Sequence, residues 1–155
     1  MDFDIASLPK PLAQLYSYWQ IKRGDRLMPS RADINPVDMH AFLPHTMLID
    51  VVQCENGETR FRTRLVGTHV VDGYGEEFSG KFLDEIDLGD SRDRVIEACL
   101  YTVHKKKPAY LSGKSRQPAG DGYISYKRLG VPLSSDGEIV NIILVAAVVQ
   151  PIRND

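Results

Sequence analysis

Cysteine is scarce in this chain of 155 residues: Cys54 and Cys99 are the only two, far apart, which excludes a disulfide framework and a zinc-ligand pattern. Long apolar runs are missing as well. The longest, Ile142 to Val149, is too short to span a bilayer as a helix. The opening residues Met1-Asp2-Phe3-Asp4 are acidic and lack the apolar core of a secretory leader. There is no basic surplus: 19 Lys and Arg stand against 21 Asp and Glu, a formal net charge of −2, which argues against nucleic acid as a partner. The sequence has no Gly-x-Ser-x-Gly, no His-Glu-x-x-His and no phosphate-cradling glycine loop. Internal repeats and low-complexity linkers are also lacking. These absences lead us to expect a reducing, cytoplasmic setting, with no membrane, no resident metal and no catalytic constellation.

What is present suits one folded domain. Hydrophobic residues make up 43% and charged residues 26%, enough for a core and an ordinary wet surface. Leu8, Leu12, Leu15 and Trp19 recur at helical spacing and predict a helix from Leu8 to Arg23, capped by Ser7 and stopped by Gly24. Asn35, Pro36 and Asp38 read as the cap, first position and first turn of a second, shorter helix that ends at Pro44. Met47 to Gln53 and Arg60 to Val66 predict two strands joined by a turn at Asn56-Gly57. In the second strand Phe61, Thr63 and Leu65 alternate with Arg60, Arg62 and Arg64, which assigns the first three to one face. Residues 67–89 carry five glycines and predict short helical pieces. Asp90 then caps a longer helix with Val95, Cys99 and Val103 on one stripe, and Lys105, Lys106, Lys107 and Pro108 close it.

Three more strands follow: Ala109 to Arg116, Tyr123 to Leu133 and, after the turn Ser134-Ser135-Asp136-Gly137, Ile139 to Val149. The last is apolar on both faces, so it is expected at the centre of the sheet with both faces covered. The middle helices can cover one face. The helix bearing Leu12, Leu15 and Trp19, or a second subunit, must cover the other.

This element order resembles a PAS domain. The wording is similar to a bacterial PAS family common in alphaproteobacteria: the pair Tyr18-Trp19; the segment Pro29-Ser30-Arg31-x-Asp33-x-x-Pro36; Arg64-Leu65-Val66-Gly67-Thr68; Gly80; and the hairpin Pro132-Leu133-Ser134-x-Asp136-Gly137. The resemblance covers nearly the whole chain. It implies an α+β fold, a PAS-like five-stranded antiparallel sheet with helices on one face and an N-terminal flanking helix. Residues 1–44 would be the N-terminal helical extension, 45–150 the PAS core and 151–155 a tail. It also implies signal sensing or protein–protein contact, often as a homodimer, with output through a signalling partner because no output domain accompanies the module. It transfers no ligand, since a fold does not dictate function. A small-molecule ligand is possible and the cofactor stays unknown.

Within that frame, Leu65, His69, Tyr74, Phe78, Cys99, Val103, Tyr123 and Ile143 are the expected pocket lining, and Leu12, Leu15 and Trp19 the expected dimer surface. Each has a plainer alternative. His69 could face the pocket or simply be hydrogen-bonded at a helix start. Cys99 lacks the Asn-Cys-Arg-Phe-Leu signature of flavin photosensors and reads as a core residue. His104 sits where haem-binding relatives carry an iron ligand, but its lysine-rich surroundings favour a solvated helix end. Arg60, Arg62 and Arg64 read as salt-bridged rather than anion-gripping, and Arg31 and Asp33 as structural with partner contact open. Two competitors remain: a ligand-free scaffolding module, and a small α+β enzyme using His69 with Asp72 as an acid–base pair.

Overall fold

Helix α1 spans Lys10–Arg23 and opens with Pro9 rather than with the expected Ser7 cap. Ser7 instead ends a short 3-10 turn, Ile5–Ser7, whose Ala6 N–H donates to Asp4 Oδ1 at 3.1 Å. Gly24 stops α1 with a φ of 56°, a conformation glycine adopts without a Cβ penalty. The chain is described from a computed structural model covering residues 2–118 and 122–152. Three 3-10 turns follow at Arg31–Asp33, Pro36–Met39 and Leu43–His45. Asn35 caps the second by accepting from Val37 N–H at 3.1 Å, and Pro44 lies inside the third rather than ending a helix.

Strands β1 (Thr46–Gln53) and β2 (Thr59–Val66) form the expected hairpin, with Gly57 at φ 84° in its turn. Helix α2 (Thr68–Tyr74), a 3-10 turn at Leu83–Glu85 and helix α3 (Ser91–Lys105) make the middle of the chain. Asp90 precedes α3 but makes no side-chain cap. Ser91 Oγ donates to the Lys114 carbonyl instead and ties the helix start to the sheet. Strands β3 (Ala109–Arg116), β4 (Tyr123–Leu133) and β5 (Ile142–Pro151) complete an antiparallel sheet of order β2-β1-β5-β4-β3. Strand β5 starts three residues later than its apolar pattern suggests. The Asp136 carboxylate accepts from the N–H groups of Glu138 and Ile139, each at 2.8 Å, and holds them in the turn. Those backbone bonds lower Asp136 to about 2.

The central position of β5 follows from its two apolar faces. Val149 packs under Gly73 of α2, and Ile143 lies beside Gly130 on the same face, which we call inner. On the outer face, Leu12, Leu15 and Trp19 of α1 are buried against β4 and β5. Each such side chain contributes about 1.5–3 kcal/mol on burial. Trp19 Nε1 also donates to the Pro132 carbonyl at 2.9 Å. The expected dimer residues are therefore inside one chain. Of the two candidates for covering the outer face, the helix does so, and the three side chains offer no free surface.

The sequence motifs interlock on this outer side. Ser134 N–H donates to the Pro29 carbonyl at 2.9 Å, and Asp33 accepts from both the N–H and the hydroxyl of Ser30. Arg26 pairs with Asp33 at 3.0 Å, and Asn35 N–H donates to the Tyr18 hydroxyl at 2.9 Å. The residues 151–155 expected as a tail are described only to Ile152, where Pro151 still belongs to β5; 153–155 lie outside the described residues.

Candidate functional site

Between the inner sheet face and the middle helices lies a cavity of about 20 Å³, lined by Met47, Tyr74, Phe78, Leu83, Ile86, Leu88, Val95 and Arg128. Close packing elsewhere explains its size, because interiors tolerate few voids larger than a water. Tyr74 comes from the last turn of α2 and meets Phe78 edge to face, ring centroids 5.5 Å apart. Gly75, Gly80 and Gly89 each have positive φ and break the segment between α2 and α3 into short straight pieces. That segment is pinned to the β2 edge by Thr63. Its N–H and hydroxyl both donate to the Lys81 carbonyl, at 2.9 and 3.0 Å, and the hydroxyl also reaches the Phe78 carbonyl at 2.5 Å.

Of the expected lining, Tyr74 and Phe78 reach this cavity; Cys99 is buried beside Arg128, and Ile143 is buried on the inner face beside Gly130, neither lining the cavity. Val103 is only half-buried, on α3. Leu65 and Tyr123 do not take part: they are 57% and 52% exposed. Leu65 is turned away by a bulge. Leu48 pairs with Leu65 and Ile49 with Thr63, so Arg64 is an extra residue in β2. One extra residue reverses the faces of everything beyond it. Leu65 lands on the outer face, beside Leu48 and Leu144. Tyr123 opens β4 at the far end of the sheet.

Sequence reasoning missed Arg128 and most of the apolar lining, including Met47 and Leu83. Arg128 alternates with the apolar Leu129, Val131 and Leu133 in sequence, a pattern that by itself does not point to a buried position. The available signal was that a strand beside a fully covered centre has no wet face over that stretch. Burial pushes the Tyr74 hydroxyl up to about 12, and burial likewise raises the Cys99 thiol, in both cases against the opposing Arg128 charge. Both groups therefore stay neutral.

His69 lies at the margin, not in the cavity. Its Nε2 accepts from Val149 N–H at 3.1 Å, and its ring stacks on His45 with centroids 4.0 Å apart. No hydrogen bond joins His69 to Asp72 among the described residues, and Asp72 is exposed, so an acid–base pair is not assembled here. Burial lowers the His69 pKa most, the charge of His45 adds to this, and Asp72 partly offsets it. The native state thus refuses a proton that the unfolded chain accepts near pH 6.5. Stability is expected to be level above that pH and to fall below it, until the native ring protonates too. Urea titrations between pH 5 and 8 should show this slope for the wild type and a flatter one for His69→Gln; equal slopes would remove His69 as the cause.

The arginines of β2 are salt-bridged. Arg60 forks onto Asp84 at 2.8 and 2.7 Å, a bond that lowers Asp84, and Arg62 and Arg64 converge on Asp50 at 3.4 and 2.6 Å. His104 is exposed at the end of α3. Among the described residues no helix is long and apolar enough to cross a membrane.

The PAS domain family matches residues 8–145 of the chain. A sensory box histidine kinase/response regulator from Burkholderia thailandensis E264 is similar in structure, with 17% sequence identity over 76% of this chain and 82% of that chain, and a TM-score of 0.43. No curated protein matches.

Proposed function

The chain belongs to the PAS domain family, and we propose that it is a sensory signalling domain that takes a small molecule between its inner sheet face and α2 and α3, and passes the result to a protein partner. The observation that carries this reading is the cavity. A close-packed interior keeps a void beside two polar side chains, Tyr74 and Arg128, under a segment broken by three positive-φ glycines. The walls match ligand sites in composition, apolar with a few polar groups, and the void is far smaller than such sites, so a ligand has to open it. Entry of a ligand would move residues 75–90, and Thr63 would transmit that movement to β2.

Homodimerisation and a signalling partner belong to the same reading, because PAS domains commonly work through such contacts. A cytoplasmic location is supported by the two free thiols, Cys54 and Cys99. The division into an extension at 1–44 and a core from 45 belongs to the same reading, with the first strand of the sheet starting at Thr46. A ligand-free scaffold is the second reading, favoured by the small volume of the void.

Native mass spectrometry of freshly purified protein, with its absorption spectrum and hydrogen exchange after ligand addition, separates the two. A retained small-molecule mass, or new protection over residues 75–90 with a metabolite library, is the expected result. A clean chain mass with unchanged exchange against the whole library would establish the scaffold.

A further inference from the structure

Arg128 is the one arginine of the sheet's inner face among the described residues, 5% exposed, and it lines the cavity. Its only hydrogen bond among the described residues is a weak one, from Nη2 to Cys99 Sγ at 3.8 Å. No carboxylate of the described residues pairs with it, whereas Arg60, Arg62 and Arg64 on β2 each have one. A guanidinium cannot shed its proton, and a buried charge without a counter-charge is strongly unfavourable. The neighbours cannot supply the missing charge, since Tyr74 and Cys99 are neutral. Gly130, two residues along the same face, adjoins the guanidinium: a Cβ there would make ordinary contact with Nη2 at 3.8 Å and would press on Ile143 Cγ2 at 3.1 Å.

We propose that Arg128 is the anchor of a small organic monocarboxylate, whose head forks onto the guanidinium and whose short hydrocarbon chain lies among Met47, Phe78, Leu83 and Val95. This rests on the sensory reading above and names the ligand class for that same site. One buried positive charge matches one negative charge. A phosphate or dicarboxylate would bring a second charge into walls that offer nothing to meet it. The fork of N–H donors suits a planar carboxylate. At about 20 Å³ the cavity has room for roughly one water-sized group. The hydrocarbon part must therefore displace the segment between Gly75 and Gly89, which makes occupancy readable at the surface.

The test is calorimetry and thermal melting with acetate, butyrate, butyramide and sodium chloride, on the wild type, Arg128→Met and Arg128→Lys. Butyrate should bind the wild type and raise its melting temperature. Butyramide and chloride at equal concentration should not. Arg128→Met should lose at least about tenfold in butyrate affinity, because the charged fork is gone. Arg128→Lys, which keeps the charge, should recover part of it. An Arg128 Nε–H NMR signal that shifts on adding butyrate to the wild type is expected and needs no variant to fold. Equal butyrate response in wild type and Arg128→Met, or a chloride response matching that of butyrate, would overturn the proposal. Butyramide binding equally well to both, with shifts at Tyr74, would overturn the anion anchor while leaving the sensory pocket standing. Silence of the wild type toward butyrate overturns the carboxylate, and silence toward the whole library in the preceding experiment overturns the pocket as well.

Discussion

Trp19→Ala is expected to cost the folded domain about 3–5 kcal/mol, the range for removing a buried aromatic side chain. Trp19 is 4% exposed on the outer sheet face between Leu15 and the β4–β5 hairpin, and the Arg23 guanidinium lies 5.1 Å from its ring. Truncation leaves a cavity and strands the Pro132 carbonyl that the indole N–H reaches at 2.9 Å. A domain of this size has a total stability of about 5–15 kcal/mol, so the variant should sit close to its folding threshold. Urea unfolding should show a lower midpoint with an unchanged slope. Trp19→Phe, which keeps most of the packing and loses the hydrogen bond, should cost less, about 1–3 kcal/mol. Sedimentation of both variants gives the contrasting outcome: unchanged stability with an altered mass would mean that α1 serves another copy of the chain rather than its own sheet.

Gly67→Ala is expected to be nearly as damaging, about 3 kcal/mol, at the upper end for overpacking. The backbone at Gly67 has a φ of −67°, which alanine adopts freely, so conformational freedom is not what glycine supplies here. Space is the reason. A Cβ would meet the Pro44 carbonyl group, 2.6 Å from its carbon, and stand 2.9 Å from the Leu43 carbonyl oxygen. Those atoms are backbone, held in a 3-10 turn, and Gly67 N–H is committed to the Thr46 carbonyl at 2.7 Å. Gly57→Ala makes a fitting contrast. Its φ is 84° but nothing lies within 4 Å of the new Cβ, so only the left-handed penalty of about 1–2 kcal/mol applies. Thermal melts should rank Gly67→Ala clearly below Gly57→Ala; the reverse order would mean that the Leu43–His45 turn yields easily.

These two residues also show what the recognisable words of the sequence are for. Trp19, Pro29, Asp33, Gly67, Pro132 and Ser134 carry the family resemblance, and all of them hold the N-terminal segment and the hairpins to the outer side of the sheet. None lines the inner cavity. The motifs made the family legible because they are short and contiguous. They were silent about the site, to which α2, α3, β1 and β4 contribute one residue each and the segment between the helices contributes Phe78, Leu83, Ile86 and Leu88.

The amino-acid sequence by itself determined the order of the five strands and the two longer helices α1 and α3 and the central place of β5, because periodicity, turn residues and two-faced apolar runs are local properties; the PAS family was legible separately, through the resemblance of its short motifs. Tertiary structure alone decided three further things. A single extra residue at Arg64 turned Leu65 outward, since alternation holds only relative to a register set by β1. Leu12, Leu15 and Trp19 found their partner within the chain, since an apolar stripe does not specify which surface covers it. Arg128 was carried inside, since the side of a strand that faces solvent depends on which helices pack over it, and that is settled by long-range packing rather than by its neighbours in sequence.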